Sequence, residues 1–172
     1  VSLAALKVAG LVGILLLAGC ASTRDQWQRT LAADHQAVYE RFLHDHPRAP
    51  EAALARERLE QRRAAEAWSR IEASTDPADF TEFLGRHSGS KLATSARTRL
   101  EQVVSERDWN RILASDRFED FQTFLQAHPG SAFARDATAR LRGLMARERW
   151  AELRSSEDEA ALADFCARYS GT

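Results

Sequence analysis

The four tryptophans of this chain, Trp27, Trp68, Trp109 and Trp150, recur at one fixed step, i to i+41. Other columns keep the same step. Phe42, Phe83, Phe124 and Phe165 each stand at i+15 from their Trp. Leu43, Leu84 and Leu125 come next, with Cys166 in the fourth copy. His46, His87 and His128 follow, with Tyr169 in the fourth, and Leu59, Leu100 and Leu141 close three copies. A period between about 20 and 50 residues marks supersecondary units that stack, because one such unit cannot bury its own apolar face. The expectation is an all-α chain: an α-solenoid of helical repeats, with full copies at 27–67, 68–108 and 109–149 and a partial fourth at 150–172.

Within a copy the sequence reads as one short helix and one long one. In the second copy Thr75-Asp76-Pro77 offers an N-cap with Pro in the first turn, where a missing N–H costs nothing. Phe80, Phe83 and Leu84 then fall at i, i+3 and i+4, an apolar stripe on a helix. Asp116-x-x-Glu119 has the form of a capping box in the third copy, and Thr23-x-x-Gln26 could cap a helix through Trp27. His46-Pro47, His87-Ser88-Gly89 and His128-Pro129-Gly130 are helix-stopping sequences. Pro50, Ser90 and Ser131 mark the starts of the long helices. The stretch Lys91 to Ala114, free of Gly and Pro, predicts one helix of about 24 residues, ~36 Å long. Its apolar face turns along its length: Ala93, Ala96, Leu100 and Val104 form one stripe, Trp109 and Ile112 another. The first half is expected to pack on the short helix before it and the second half on the short helix after it. A break near Ser105 to Asp108 is the alternative.

Ahead of the repeats, Lys7 precedes an apolar run from Val8 to Ala18, which is too short for a helix to cross a hydrocarbon core of ~30 Å. It fits the central region of a secretory signal. The run ends in Leu17-Ala18-Gly19-Cys20, which resembles the lipobox of bacterial lipoproteins. The resemblance implies removal of residues 1–19, a diacylglycerol thioether on the Cys20 sulfur, and an acylated amino group. Residues 20–26 then form a short tether, and 27–172 a TPR-like repeat domain. Several acyl chains hold a protein firmly, at ~0.8 kcal/mol per buried CH₂, where one chain holds only marginally. By the family's sorting rule, Ala21-Ser22 in place of an Asp after the cysteine favours the outer over the inner membrane.

The segment Phe124-Leu125-x-x-His128-Pro129-x-Ser131-x-x-Ala134-x-x-Ala137 resembles the repeats of bacterial tetratricopeptide-like proteins, among them periplasmic lipoproteins of the outer-membrane-assembly type. The resemblance implies helix pairs and protein binding. The period departs from that family's 34-residue unit, which puts its usual peptide groove in doubt.

Residues that carry chemistry are sparse. The histidine column invites a metal, but stacked copies hold equivalent atoms ~10 Å apart, while zinc needs ligand nitrogens at ~2.0–2.1 Å. His46, His87 and His128 are therefore read as rings packed at helix ends, and His35 and His44 as exposed. Arg58, Arg99 and Arg140, and Arg29, Arg70 and Arg111, are read as surface ion-pairing columns. Asp79 and Asp120 are read as first-turn helix residues, and Cys166 as a small buried hydrophobe. The 24 Lys and Arg against 25 Asp and Glu leave no electrostatic footprint for nucleic acid. No nucleophile pattern, phosphate loop or paired-acid motif is present, so no catalytic, cofactor or metal residue is assigned.

The expectation is a non-enzymatic scaffold, lipid-anchored through Cys20 on the periplasmic face of the outer membrane. Its helical surface would bind envelope proteins, and it could self-associate through the fourth copy, where Trp150, Leu162 and Phe165 look poorly covered and Thr172 falls where the next long helix should begin. The alternative is the anchored repeat region of a longer chain whose activity lies downstream of Thr172.

Overall fold

The computed structural model describes residues 22–170 and contains, among them, eight helices and no strand. The chain is all-α. The helices are α1 (Thr23–Ala33), α2 (Gln36–Asp45), α3 (Ala52–Ile71), α4 (Pro77–His87), α5 (Ala93–Ile112), α6 (Phe118–Ala127), α7 (Ala134–Leu153) and α8 (Glu159–Tyr169). The signal, Cys20 and Thr172 lie outside the described residues. Among the described residues no helix is long and apolar enough to cross a membrane.

The three long helices begin at Ala52, Ala93 and Ala134, each 20 residues long. Each start is set by two consecutive turns. The N–H groups of Ala49, Ser90 and Ser131 donate to the carbonyls of His46, His87 and His128, and those of Ala52, Ala93 and Ala134 donate to Ala49, Ser90 and Ser131. These turns occupy Lys91 and Leu92, so α5 starts later than the sequence suggests, and it ends at Ile112, short of Ala114. It runs unbroken through Ser105 to Asp108. Gly89 and Gly130 do not sit in the left-handed region, so these turns make no demand that only glycine meets. Pro and polar side chains end the short helices.

Capping agrees with the sequence at α4, where the Asp76 carboxylate accepts from the Ala78 N–H at 2.9 Å and Pro77 opens the helix. Two other caps differ. At α1 the box is Ser22 with Asp25, one residue earlier than Thr23-x-x-Gln26. At α6 the Asp116-x-x-Glu119 box does not form. The Ser115 hydroxyl instead accepts the Arg117 N–H at 3.1 Å and donates to Asp120 at 2.6 Å. Ser74 does the same ahead of α4, accepting from the Asp76 N–H and donating to Asp79 at 2.5 Å. Asp79 and Asp120 are thus first-turn acids with a second task, holding the turn that precedes the helix.

The contacts divide the chain into two compact units, residues up to 59 and residues from 60 onward, with the boundary inside α3. In the first unit Trp27, Tyr39, Phe42, Ala55 and Leu59 form the core. Tyr39 is fully buried, and its hydroxyl avoids the cost of desolvation by donating to Asp34 Oδ1 at 2.6 Å. Asp34 ends α1 in the left-handed conformation, φ 43°, which Asp tolerates better than most residues.

The second unit holds two clusters. One gathers Ala64, Phe83 and Ala96, with the partly buried Trp68, Ile71, Leu84 and Leu92. The other gathers Trp109, Phe121, Phe124 and Ala137, with Ile112, Phe133 and Leu141 among its partly buried neighbours. Here α5 packs on both α4 and α6, and α7 on both α6 and α8. That is the arrangement the turning apolar face of α5 requires. Val103 and Trp109 are its most buried large side chains, while Leu100 and Val104 are half-buried. The small residues Ala93, Ala96 and Ala137 are buried, as close helix approach demands.

Phe121 is fully buried, whereas Leu162, at the same place in the next copy, is half-buried. Phe121→Ala should therefore lower stability by about 3–5 kcal/mol and Leu162→Ala by about 1 kcal/mol, read from urea unfolding.

Candidate functional site

Three tryptophans meet the same pair of partners on the short helix that follows. Trp27 lies 6.3 Å from Tyr39 and 5.1 Å from Phe42, centroid to centroid. Trp68 lies 6.1 Å from Phe80 and 5.7 Å from Phe83, and Trp109 lies 6.2 Å from Phe121 and 5.7 Å from Phe124. The rings are tilted or edge-on, the arrangement their quadrupoles favour, worth ~0.5–1.5 kcal/mol per pair beyond burial. Phe133, at the N-cap of α7, adds a third partner to Trp109, stacked at 5.5 Å and 8°.

The fourth tryptophan is different. Trp150 touches Phe165 at 5.6 Å and is 50% exposed, against 6% for Trp27 and 8% for Trp109. Leu113 is 44% exposed and lines the same groove, with Arg140, Arg147 and Tyr169. Cys166 is also exposed, which overturns its reading as a buried hydrophobe. Leucine fills that column elsewhere because those helices are covered on that side, and the side of α8 that carries Cys166 faces solvent.

The histidine column is a polar seam at the ends of the short helices. Each ring lies on the Phe one turn earlier: His46 on Phe42 at 5.2 Å, and His87 on Phe83 and His128 on Phe124 at 5.1 Å. Tyr169 lies on Phe165 at 5.0 Å in the same way. The histidine rings also bond to the long helix or its α1 counterpart. His46 pairs with Gln26, and His87 Nδ1 meets Glu60 Oε1 at 2.7 Å. His128 is 6% exposed and is held from both sides: Nδ1 meets Glu101 at 2.8 Å and Nε2 meets Asp108 at 3.1 Å. Glu101 and Asp108 are seven residues apart on α5, two turns along one face, so they grip the ring like jaws.

In its protonated form the ring donates from both nitrogens, one to each carboxylate. Burial alone would lower the His128 pKa, but hydrogen bonds and charge from Glu101 and Asp108 outweigh it and raise it above 6.5. Its place at the end of α6 favours the same charge. A ring engaged on both sides has no nitrogen left to accept a substrate proton, so this cluster fastens α5 to α6. The carboxylate partners were missed from sequence. The signal was available: Glu60 and Glu101 form a column of their own, each at the same distance ahead of its histidine, His87 or His128.

No family model, curated protein or solved structure matches the chain. What it can do is therefore read from its own residues. Among the described residues, no group of three or more His, Cys, Asp or Glu side chains could hold a metal ion. His35 and His44 are exposed. Arg58 and Arg29 are exposed, Arg70 pairs with Glu66 at 3.9 Å, and Arg111 with Asp108 at 3.4 Å. Exposed pairs of this kind add little stability. Arg99 is half-buried, and its guanidinium reaches Gln102 at 3.4 Å.

Because the folded-state pKa of His128 is raised, its stabilising contribution is complete below the unfolded value of about 6.5 and is lost as pH rises through the folded value. The stability gap between the wild type and His128→Gln should thus be largest at pH values below about 6.5 and shrink as the pH rises past the raised folded-state value. By NMR the His128 imidazole should titrate above 6.5 in the wild type and lower in Glu101→Gln or Asp108→Asn.

Proposed function

We propose that this chain is a lipid-anchored scaffold of the bacterial envelope. In this reading its helix pairs stack as a TPR-like α-solenoid with the period of the tryptophans, and its helical surface binds other envelope proteins. The observation that carries the repeat reading is the recurrence of one contact, Trp against two aromatic rings, at Trp27, Trp68 and Trp109. Equal surroundings at equal sequence spacing support units built alike, and such units bury their apolar faces on their neighbours. The anchor rests on Leu17-Ala18-Gly19-Cys20, and the outer-membrane, periplasmic assignment on Ala21-Ser22 after it. A binding rather than a catalytic role is supported by a histidine seam whose most buried member has both nitrogens committed to carboxylates.

Cys20→Ala should leave the protein unprocessed or in the soluble fraction, whereas the wild type should float with outer-membrane vesicles and incorporate labelled fatty acid. Normal processing and unchanged membrane fractionation of the variant would refute the anchor. In cells, mild crosslinking followed by purification should recover a small, reproducible set of envelope proteins. Recovery of abundant lipoproteins alone would count against the scaffold.

A further inference from the structure

A neutral imidazole carries one N–H and one bare nitrogen; a protonated one carries two N–H groups. His128 has a carboxylate on each side: Glu101 Oε1 lies 2.8 Å from Nδ1, and Asp108 Oδ2 lies 3.1 Å from Nε2. The protonated ring donates to both. The neutral ring donates to one, and its bare nitrogen then faces a carboxylate oxygen that repels it. One of the two bonds must therefore give way when the proton leaves. His87, one period earlier, meets no such conflict. Glu60 sits on its Nδ1 at 2.7 Å, and Ala67 stands in the sequence place of Asp108. A neutral His87 keeps its bond by keeping its proton on Nδ1.

The surroundings of the two carboxylates decide which bond of His128 gives way. The Glu101 side chain is 58% exposed, so it can leave for water at little cost. Arg97, one turn back on α5, has no ion pair among the described residues and offers a partner at helical spacing. Both line the groove between α5 and the turn into α7. The Asp108 side chain is only 26% exposed. Its Oδ1 is buried without a hydrogen bond, with Arg111 at 3.4 Å and Arg107 at 3.6 Å, and its Oδ2 has the His128 ring. Losing that ring would leave the half-buried carboxylate with no hydrogen bond among the described residues, the costlier outcome. We propose that His128 is a one-sided latch between α5 and α6: in its neutral form Nε2 stays on Asp108, while Glu101 is released into the groove toward Arg97. The seam is held at two points with the proton and at one without it. Glu101 and Asp108 are the groups of α5 that act on the ring. Glu119 and Asp120 lie in the first turn of α6, at its far end, and Pro129 to Phe133 carry no titratable side chain. On α7, Arg135 and Asp136 come next, and neither bonds to the ring. The latch is independent of the lipid anchor and of the scaffold reading.

The test is nitrogen NMR of the imidazoles in the mature protein, followed from pH ~5 to ~9. In acid both His128 nitrogens should carry protons. At the high end the proton should sit on Nε2 of His128 and on Nδ1 of His87, opposite tautomers in one spectrum. The His128 Nδ1 signal should therefore move to the position of a bare nitrogen while Nε2 stays near its protonated position. Glu101→Gln should leave the Nε2–H form of neutral His128 in place. Asp108→Ala, which gives the third copy the residue found in the second, should switch it to Nδ1–H. A neutral His128 protonated on Nδ1 in the wild type, an even mixture of tautomers, or a tautomer indifferent to Asp108→Ala overturns the latch. A ring still doubly protonated at pH ~9 overturns it as a switch. Circular dichroism verifies that the variants fold; should either fail, the comparison of His128 with His87 in the wild type decides alone.

Discussion

The contact on which the described structure depends is an indole from one helix lying across two rings of the next. Its partners stand at i+12 and i+15 from the Trp, three apart on a short helix and therefore on one face. The geometry forces a division of labour. A long helix must show one apolar stripe to the short helix before it and, further along, a different stripe to the one after it. In α5 the early stripe is built of Ala93 and Ala96, where backbones come close, and the later surface of Trp109 and Ile112, where bulk fills a wider gap. Small residues early and a large ring late are two answers to one packing problem along a single rod of ~30 Å.

Polar groups secure what the rings begin. Each short helix of the first three copies ends at a histidine whose ring rests on the Phe one turn back and whose nitrogen reaches the preceding helix. The partner is the amide of Gln26 in the first unit, and in the second it is the carboxylate of Glu60 or the pair Glu101 and Asp108. At the other end of the short helices, the hydroxyls of Ser74 and Ser115 tie the turn to Asp79 and Asp120. Short side chains bonding to a nearby turn compete well against water because little entropy is lost in ordering them.

The fourth copy keeps the sequence signature and loses much of its burial. Trp150 retains one aromatic neighbour, Leu162 stands where Tyr39, Phe80 and Phe121 are fully buried, and Cys166 faces solvent where leucine is half-buried. The same tryptophan at equal spacing thus differs in burial, because what buries it is an opposing helix and not a local conformation.

The period, the helical class, the alternation of short and long helices and the Asp76-Pro77 cap were all legible in the sequence. Each follows from local chemistry or from spacing: a stripe at helical period, a proline with no N–H to lose, a column that recurs. Three features were decided by the tertiary structure. The Asp116-x-x-Glu119 cap gave way to a bond between Ser115 and Asp120, because several local arrangements satisfy the same N–H groups and their surroundings select one. His128 is held from both sides because Glu101 and Asp108, far from it in sequence, arrive on one face of α5. Cys166 is bare and Trp150 half-bare because burial belongs to the pair of surfaces that meet, and one chain position carries only half of that information.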